Sequence, residues 1–451
     1  MAKYQKILQT TFSQSLNESD IEQTAKETGF VKRKSPLMGR HFLEALMFGN
    51  LQSIPASLND LAAYLYEEHQ IEISKQGLDD RINEHAVSFL KSLLKKEMNS
   101  KLDLSSVNSL TSHFSSIRIK DSTRWNLPDN CSQKYKGHGG CRANSKSMIS
   151  LQFDYDLLSG NFLDLSLTSG TRNDQRDSKE VKDNIYENEL HLRDLGFATI
   201  GYMKNIEEKG AYFLNKMSLQ FKVYDIKKKK EIDFRAIHKK MKQHNLMCIE
   251  KEVVVGSQEK LPCRIIISKA PQDVYKSRID QAEKKGKKRG YQLSKSYKER
   301  ASMNIYLTNA SQESLPKESI MDIYRIRWQV ELMFKVWKSL TNINKLHKVK
   351  MVRFEVQLMA KLIWILTNWK VFFLVNHWVH QINRKHMCSI WKFFKQIISN
   401  THKLRDILWQ DGDLNKWLTM LFSKARRHLL IEKKKGKLAF YEHFNLITHL
   451  A

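Results

Sequence analysis

The sequence predicts an α/β protein of several domains, helical at both ends and rich in strands between. Three observations carry this. The 451 residues suffice for two to four domains and at least one large core, with no need of disulfides or metal for stability. Helical periodicity runs from Asp20 to about Met98 and returns from Glu318 onward. Between these regions, short runs with partial alternation and many β-branched residues, broken by Gly-containing turns, read as strands. A hydrophobic share of 41% with nine Trp excludes wholesale disorder, and 27% charged residues imply a heavily solvated surface. No period of 20 to 50 residues repeats, which excludes a solenoid.

In the N-terminal region LNDLAAYL and SKQGLDDRI are two short helical patterns joined by a turn, with Ser74 as N-cap of the second. This has the size of a helix-turn-helix, whose second helix would enter a major groove, and equally of a plain structural hairpin. After Ser105, SSIRIKD, SMISLQFDYD and NFLDLSLTSG read as three strands of one sheet. Ser178 to Asn188 reads as helical, ELHLRD as a fourth strand ending at Asp194, and FATIGYMKNIEEKG as a helix closing at Gly210. Strand-like pieces follow in AYFLNKM, LQFKVYDI, CIEKEVVVG, CRIIISKA and MNIYLTN, with basic runs between them. The 23 residues ESIMDIYRIRWQVELMFKVWKSL lack Gly and Pro and are expected to form one helix. The most apolar segment, Leu362 to Val379, carries Lys370 near its middle, so it reads as a buried helix and not as a membrane span.

Lys and Arg number 76 against 48 Asp and Glu, a net charge of +28. Such an excess implies a polyanionic partner. Nucleic acid is preferred to a membrane surface, because the basic residues do not cluster beside a hydrophobic span. Residues 215 to 300 hold 24 Lys and Arg against 10 Asp and Glu, half of the net charge. The runs KKKK at 227–230 and KKGKKR at 284–289 suit a surface that follows phosphates, the alternative being solvated loops. The five cysteines, Cys131, Cys141, Cys248, Cys263 and Cys388, are scattered and never in CxxC spacing, which suits a reducing, cytoplasmic location. Cys131, His138 and Cys141 are imaginable zinc ligands, but no second pair stands at metal-site spacing, and zinc is not expected. The N-terminus has no apolar core of signal-peptide length, so secretion has no support.

On a helix of about 100° per residue, Tyr324, Arg327, Glu331 and Lys338 share a face about 60° wide. Ile323, Ile326, Val330, Phe334 and Trp337 form the adjoining apolar stripe. Charge alone would make this an amphipathic surface helix with ion pairs. The spacing Tyr324-x2-Arg327-x3-Glu331-x6-Lys338, however, resembles the YREK signature of bacterial insertion-sequence transposases of the DDE type, which cut and paste DNA through hairpin intermediates. Two further residues resemble that family's layout, in which a first Asp ends the first strand and a second ends a later one. IKDST offers Asp121 and LRDLGF offers Asp194. Either alone reads as a turn former or a helix cap. The resemblance covers about residues 115 to 345; the N-terminal part is similar only in size and character.

The resemblance implies an RNase H-like core interrupted by a β-rich insertion, with helical N-terminal and C-terminal regions. The expected boundaries are 1–105 for a DNA-binding region, 106–210 for the first part of the core and 211–310 for the basic insertion. The core resumes over 311–385, and 386–451 is a helical region serving dimerisation. Asp121, Asp194 and Glu331 are implied to be the catalytic carboxylates, holding two Mg²⁺ or Mn²⁺ ions. Arg327 and Lys338, with Arg325 and Lys335, would grip DNA phosphates, and Tyr324 would hydrogen-bond a nearby one. The implied partners are double-stranded DNA, as element ends and as target, and a second copy of the chain. One departure concerns the tryptophan that stacks on a flipped base in this family's insertion: residues 200–320 hold no Trp, leaving Tyr291, Tyr297 or Tyr306 as the aromatic face. Two rivals stay open, a stand-alone metal-dependent nuclease on the same core and a non-catalytic DNA-binding protein descended from a transposase.

Overall fold

Short polar residues, Asn17, Ser57, Ser74 and Asn83, start four of the N-terminal helices. Helices α1 (Ala2–Ser13), α2 (Glu18–Glu27), α3 (Gly39–Phe48), α4 (Leu58–His69), α5 (Lys75–Arg81) and α6 (Glu84–Asn99) occupy this region. Ser57 and Asp60 form a reciprocal capping box on α4, and the Ser74 hydroxyl accepts from the Gly77 N–H at the start of α5. The pair α4 and α5 is thus the expected helix-turn-helix-sized hairpin. This computed structural model describes residues 2–49, 56–106, 112–139, 146–172, 184–217, 221–258, 260–345, 348–436 and 438–448.

The middle of the chain alternates strands and helices. In order come β1 (Ser116–Asn126), β2 (Met148–Asp156), β3 (Phe162–Ser169), β4 (Glu189–Arg193), α7 (Ile200–Glu208), β5 (Tyr212–Lys216) and β6 (Val223–Asp225). Then follow α8 (Phe234–Gln243), β7 (Cys248–Val255), β8 (Leu261–Lys269), α9 (Gln272–Arg289), α10 (Lys295–Ala301) and β9 (Met303–Thr308). The rest is helical: α11 (Ile320–Arg325), α12 (Trp328–Leu340), α13 (Met351–Ile382), α14 (Ile390–Ile398), α15 (Thr401–Trp409), α16 (Leu414–His428) and α17 (Phe440–Thr448). The chain divides into two units. One comprises Met1–Leu110, Asp121–Arg172 and Trp328–Glu442; the other comprises Thr111–Lys120, Asn173–Arg327 and His443–Ala451.

In the first unit the strand order is β3-β2-β1, with β2 and β3 antiparallel through pairs such as Leu151↔Leu167 and Phe153↔Leu165. The Phe153 ring meets Trp337 of α12 edge-on at 5.1 Å between centroids. The long helix α13 is the apolar segment read as a core element. It is long and apolar enough to cross a membrane, yet 94% of its most apolar window is buried inside the protein. It packs against α3, α6 and α16.

The α13 residue Lys361 donates from Nζ to the Thr341 carbonyl at 3.0 Å, and burial pushes its pKa from 10.5 down to about 8. The unfolded chain then holds this proton more tightly than the folded one between those two values. Unfolding free energy should therefore be flat with respect to this group below about pH 8, where both states are protonated, and should rise with pH between about 8 and 10.5. At ~1.4 kcal/mol per unit the rise is at most about 3.5 kcal/mol. Urea titrations of the native chain and Lys361→Met across this range should show a steeper rise in the native chain; identical pH profiles would refute the assignment.

In the second unit the order is β1-β4-β5-β9-β8-β7-β6. Here β1, β4 and β5 run parallel, and antiparallel pairing carries the rest, making a mixed sheet. Its core gathers Met203 and Ile206 of α7, Phe213, Leu261, Ile265 and Leu307 of the strands, and Ile237 of α8. The strands of the basic segment do not make a sheet of their own, since β5 pairs with β4 and β9 pairs with β5.

Several expectations need correction. Strand β1 does not end before Asp121 but continues to Asn126. Within Ser178 to Asn188, residues 184–188 form a bend and a turn instead of a helix; residues 178–183 lie outside the described ones. The run KKGKKR, read as a phosphate-following surface with a solvated loop as the alternative, lies on α9. Helices α8, α9 and α10 were not foreseen: α9 buries only Ala282 and Gly286, so it carries almost no apolar periodicity to read. Of the zinc candidates, Cys141 lies outside the described residues, and Cys131 is a free, buried thiol.

Candidate active site

The parallel pairing of β1 with β4 runs from Ser116↔Glu189 to Lys120↔Arg193. Asp121 and Asp194 are the next residues after the last of these partners. Asp121 lies within β1, partly exposed, and its Oδ1 accepts the Ser122 N–H at 2.8 Å. Asp194 opens the turn after β4, its side chain 48% exposed.

The end of β4 is held in place from behind. Tyr324 of α11 is 3% exposed, and its hydroxyl donates to the Arg193 carbonyl at 3.1 Å. Burial pushes the phenol pKa well up, so it stays a neutral donor. This hydrogen bond steadies the residue just before Asp194. Arg327 is buried too, its guanidinium 6.0 Å from the Tyr324 ring centroid and 4.0 Å from Asp194 Oδ1. Exposed Arg325 pairs with Asp322 one turn back, at 2.9 Å.

The single helix expected from Glu318 to Leu340 is two. Around Ile326 and Arg327 the backbone N–H groups bond to the carbonyls three residues back, Ile323 and Tyr324, so the last turn of α11 tightens and the ladder breaks. Helix α12 restarts at Trp328, where the division between the two units also falls. The narrow face projected for Tyr324, Arg327, Glu331 and Lys338 is therefore divided: Tyr324 lies on α11, Arg327 in the turn that follows it, and Glu331 and Lys338 on α12.

Glu331 is partly exposed in the first turn of α12, where the helix dipole favours a carboxylate. The apolar side of this helix holds as expected, with Val330, Phe334 and Trp337 buried. Lys338 is half-buried, which lowers its pKa. Its Nζ donates to the Arg124 carbonyl at 3.0 Å and lies 5.9 Å from the Trp125 ring centroid. Exposed Lys335 stands over Trp391 at 5.5 Å. Trp328, three residues before Glu331, is 57% exposed. Of the candidate stacking tyrosines, Tyr291 and Tyr297 are exposed, while Tyr306 is buried against Tyr324, its pKa pushed up to about 12 by burial. Among the described residues no three His, Cys, Asp or Glu side chains are grouped closely enough to hold a metal ion.

The sequence matches the family described as transposase DDE domain over residues 112–367, more than half of the chain and inclusive of Asp121, Asp194 and Glu331. It is also 30% identical to the transposase of insertion sequence element IS231B from Bacillus thuringiensis subsp. berliner, over 92% of this chain and 89% of that one. The chain belongs to the DDE transposases of insertion sequences. Among its DDE transposase relatives, that of element IS1151 from Clostridium perfringens is 28% identical over 99% of this chain and 98% of the relative. That of IS231E from Bacillus thuringiensis subsp. finitimus is 29% identical over 94% and 90%. A solved piggyBac transposase synaptic complex with hairpin DNA aligns at TM-score 0.41 and 13% identity, over 96% of this chain and 87% of that one, a likeness too slight to argue from. As a DDE transposase this protein is an enzyme of DNA transposition, cutting DNA and transferring the cut strand.

Proposed function

We propose that Asp121, Asp194 and Glu331 hold two divalent cations, Mg²⁺ or Mn²⁺, with which the protein cleaves the ends of its mobile element and joins them to target DNA. The observation that carries this is the β1–β4 ladder, whose last partners are followed in the chain by Asp121 and Asp194. The fit is one of donor chemistry: three partly exposed carboxylates are hard oxygen ligands of the kind these ions take. When bound, such cations neutralise charge on the phosphate oxygens and activate the attacking oxygen.

The chain's own residues position the DNA. Arg327 and Lys338, with exposed Arg325 and Lys335, grip phosphates of the element end through charge-assisted hydrogen bonds. Tyr324 is a positioning residue that fixes the strand end before Asp194 through the Arg193 carbonyl. Water attacks at the element end and frees a 3′-hydroxyl. That hydroxyl attacks the opposite strand, closing a hairpin as the flanking 3′-oxygen leaves; a second water opens the hairpin and restores the 3′-hydroxyl, which attacks a target phosphate and displaces a target 3′-oxygen, so no covalent link to the protein forms. Exposed Trp328, with Tyr291 and Tyr297, offers aromatic faces on which an unstacked base can rest. The order β3-β2-β1 in the first unit and β1-β4-β5 in the second supports an RNase H-like core. Joining two ends to one target calls for two active sites, hence a homodimer on DNA.

A labelled element end incubated with Mg²⁺ and a target plasmid tests this reading. Labelled strands covalently joined to the plasmid are the expected result. Release of fragments without joining would make the protein a nuclease, and firm binding without any cleavage would leave it a DNA-binding descendant.

A further inference from the structure

We propose that the helical layer of α8, α9 and α10 is the docking face for target DNA, engaged through phosphates and without base reading. This rests on the reading above that the protein joins its element to a target. Helix α9 runs 18 residues, yet buries only Ala282 and Gly286. A Cβ on Gly286 would come within 2.6 Å of the Tyr291 carbonyl oxygen, so Gly286 lets the chain after α9 fold back on the helix end, where the Tyr291 N–H donates to the Gly286 carbonyl at 3.1 Å. Arg278 anchors it, donating to the Ala301 and Met303 carbonyls and, at 2.6 Å, to Asn304 Oδ1. With that side fixed, Lys284, Lys285, Lys287, Lys288 and Arg289 all face solvent.

These like charges stand three and four residues apart on one helix, each such pair destabilising it by roughly 0.2–0.5 kcal/mol. The helix dipole favours cations only in the last turn, and although Asp280 and Glu283 stand four residues before Lys284 and Lys287, five cations outnumber these two acids over residues 280–289. A polyanion laid along the helix would relieve the repulsion. Helix α10 packs against both α8 and α9 and adds exposed Lys295 and Lys298, so the basic surface continues past one helix.

The chemistry selects among polyanions. Residues 280–289 contain no large apolar side chain, so the helix has nothing to insert into a membrane interface. Lysine dominates the surface, and its ammonium is a compact point charge on a flexible stem; it lacks the planar fork with which arginine reads guanine edges. A lysine face therefore suits DNA of arbitrary sequence. Element ends must be told apart by sequence, whereas a target is met without a fixed one, and so the face is assigned to the target.

The test uses the full chain carrying Lys284→Gln, Lys285→Gln, Lys287→Gln and Lys288→Gln together, with matching thermal melts as the folding check. Affinity for a random-sequence duplex should fall at least about tenfold near 0.1 M salt, and the slope of log affinity against log salt should shrink by about 3 to 4. Joining to plasmid should fall in step while cleavage of a short element-end duplex persists. The fourfold Lys→Arg variant should behave as the native chain. An unchanged salt slope would overturn the proposal. Equal loss of end cleavage and target joining would also overturn it, by assigning the helix to the ends. Should the native chain neither cleave nor join, the transposition chemistry fails, and the salt slope still judges this face by itself.

Discussion

Replacing Asp121, Asp194 or Glu331 singly by its amide should lower cleavage of a labelled element end by at least about 10³-fold, while binding of that end changes only a few-fold. A thousandfold loss corresponds to about 4 kcal/mol of barrier, within the several kcal/mol that carboxylate-held cations supply to phosphoryl transfer. The amides are the sharper probe. Asp121→Asn keeps an oxygen to accept the Ser122 N–H, so the strand is undisturbed while the charge is lost. Asp194→Ala would strip a nearby carboxylate from buried Arg327, 4.0 Å away, and confuse a folding defect with a chemical one. Asp194→Asn preserves shape there. Gel-shift binding and gel-resolved cleavage on one DNA separate the two effects. Near-normal cutting by any one amide variant would remove that residue from the site.

The family was legible in one dimension, and the local geometry around the proposed site was legible only in part, for physical reasons. Spacing along Tyr324, Arg327, Glu331 and Lys338, with two aspartates after strand-like runs, was enough to read a DDE transposase, as the match over residues 112–367 bears out. The alternation in ELHLR put Asp194 at the true end of β4. The same reasoning cut β1 short at Asp121, because SSIRI alternates and the residues after it do not, yet the strand continues. A helical wheel assumes unbroken i to i−4 bonding, and nothing in YRIRWQ, free of Gly and Pro, signals the tightened turn at Ile326 and Arg327. Nor could spacing show that the Tyr324 hydroxyl is already engaged by a carbonyl more than a hundred residues earlier in the chain. Helix α9 escaped notice because amphipathic periodicity detects burial, and this helix buries almost nothing.

Breaking the ion pair in the first unit is the second large effect to expect. Lys370, the charge that made Leu362 to Val379 an unsuitable membrane span, is 4% exposed, and Glu97 of α6 is fully buried. Lys370 Nζ lies 2.8 Å from Glu97 Oε1 and donates to the Glu97 carbonyl at 2.7 Å. Thr367 donates to Oε1 at 3.1 Å and Ser15 to Oε2, so the carboxylate is bonded from the segment after α1 and from α13. Burial lowers the Lys370 pKa, and Glu97 acts against that shift. Glu97→Leu therefore leaves a cation in an apolar core, and destabilisation of about 3–5 kcal/mol should follow in urea titrations at neutral pH. With its partner gone, the lysine's folded pKa drops further below its unfolded value. Stability of this variant should then climb as pH rises toward the lysine value of 10.5, since only the unfolded chain still binds the proton. Lys370→Met should cost less, because Ser15 and Thr367 still bond the carboxylate. The double variant Glu97→Leu/Lys370→Met removes both charges and should recover most of the loss. Strictly additive single losses would show that the two groups are not coupled, contrary to their geometry.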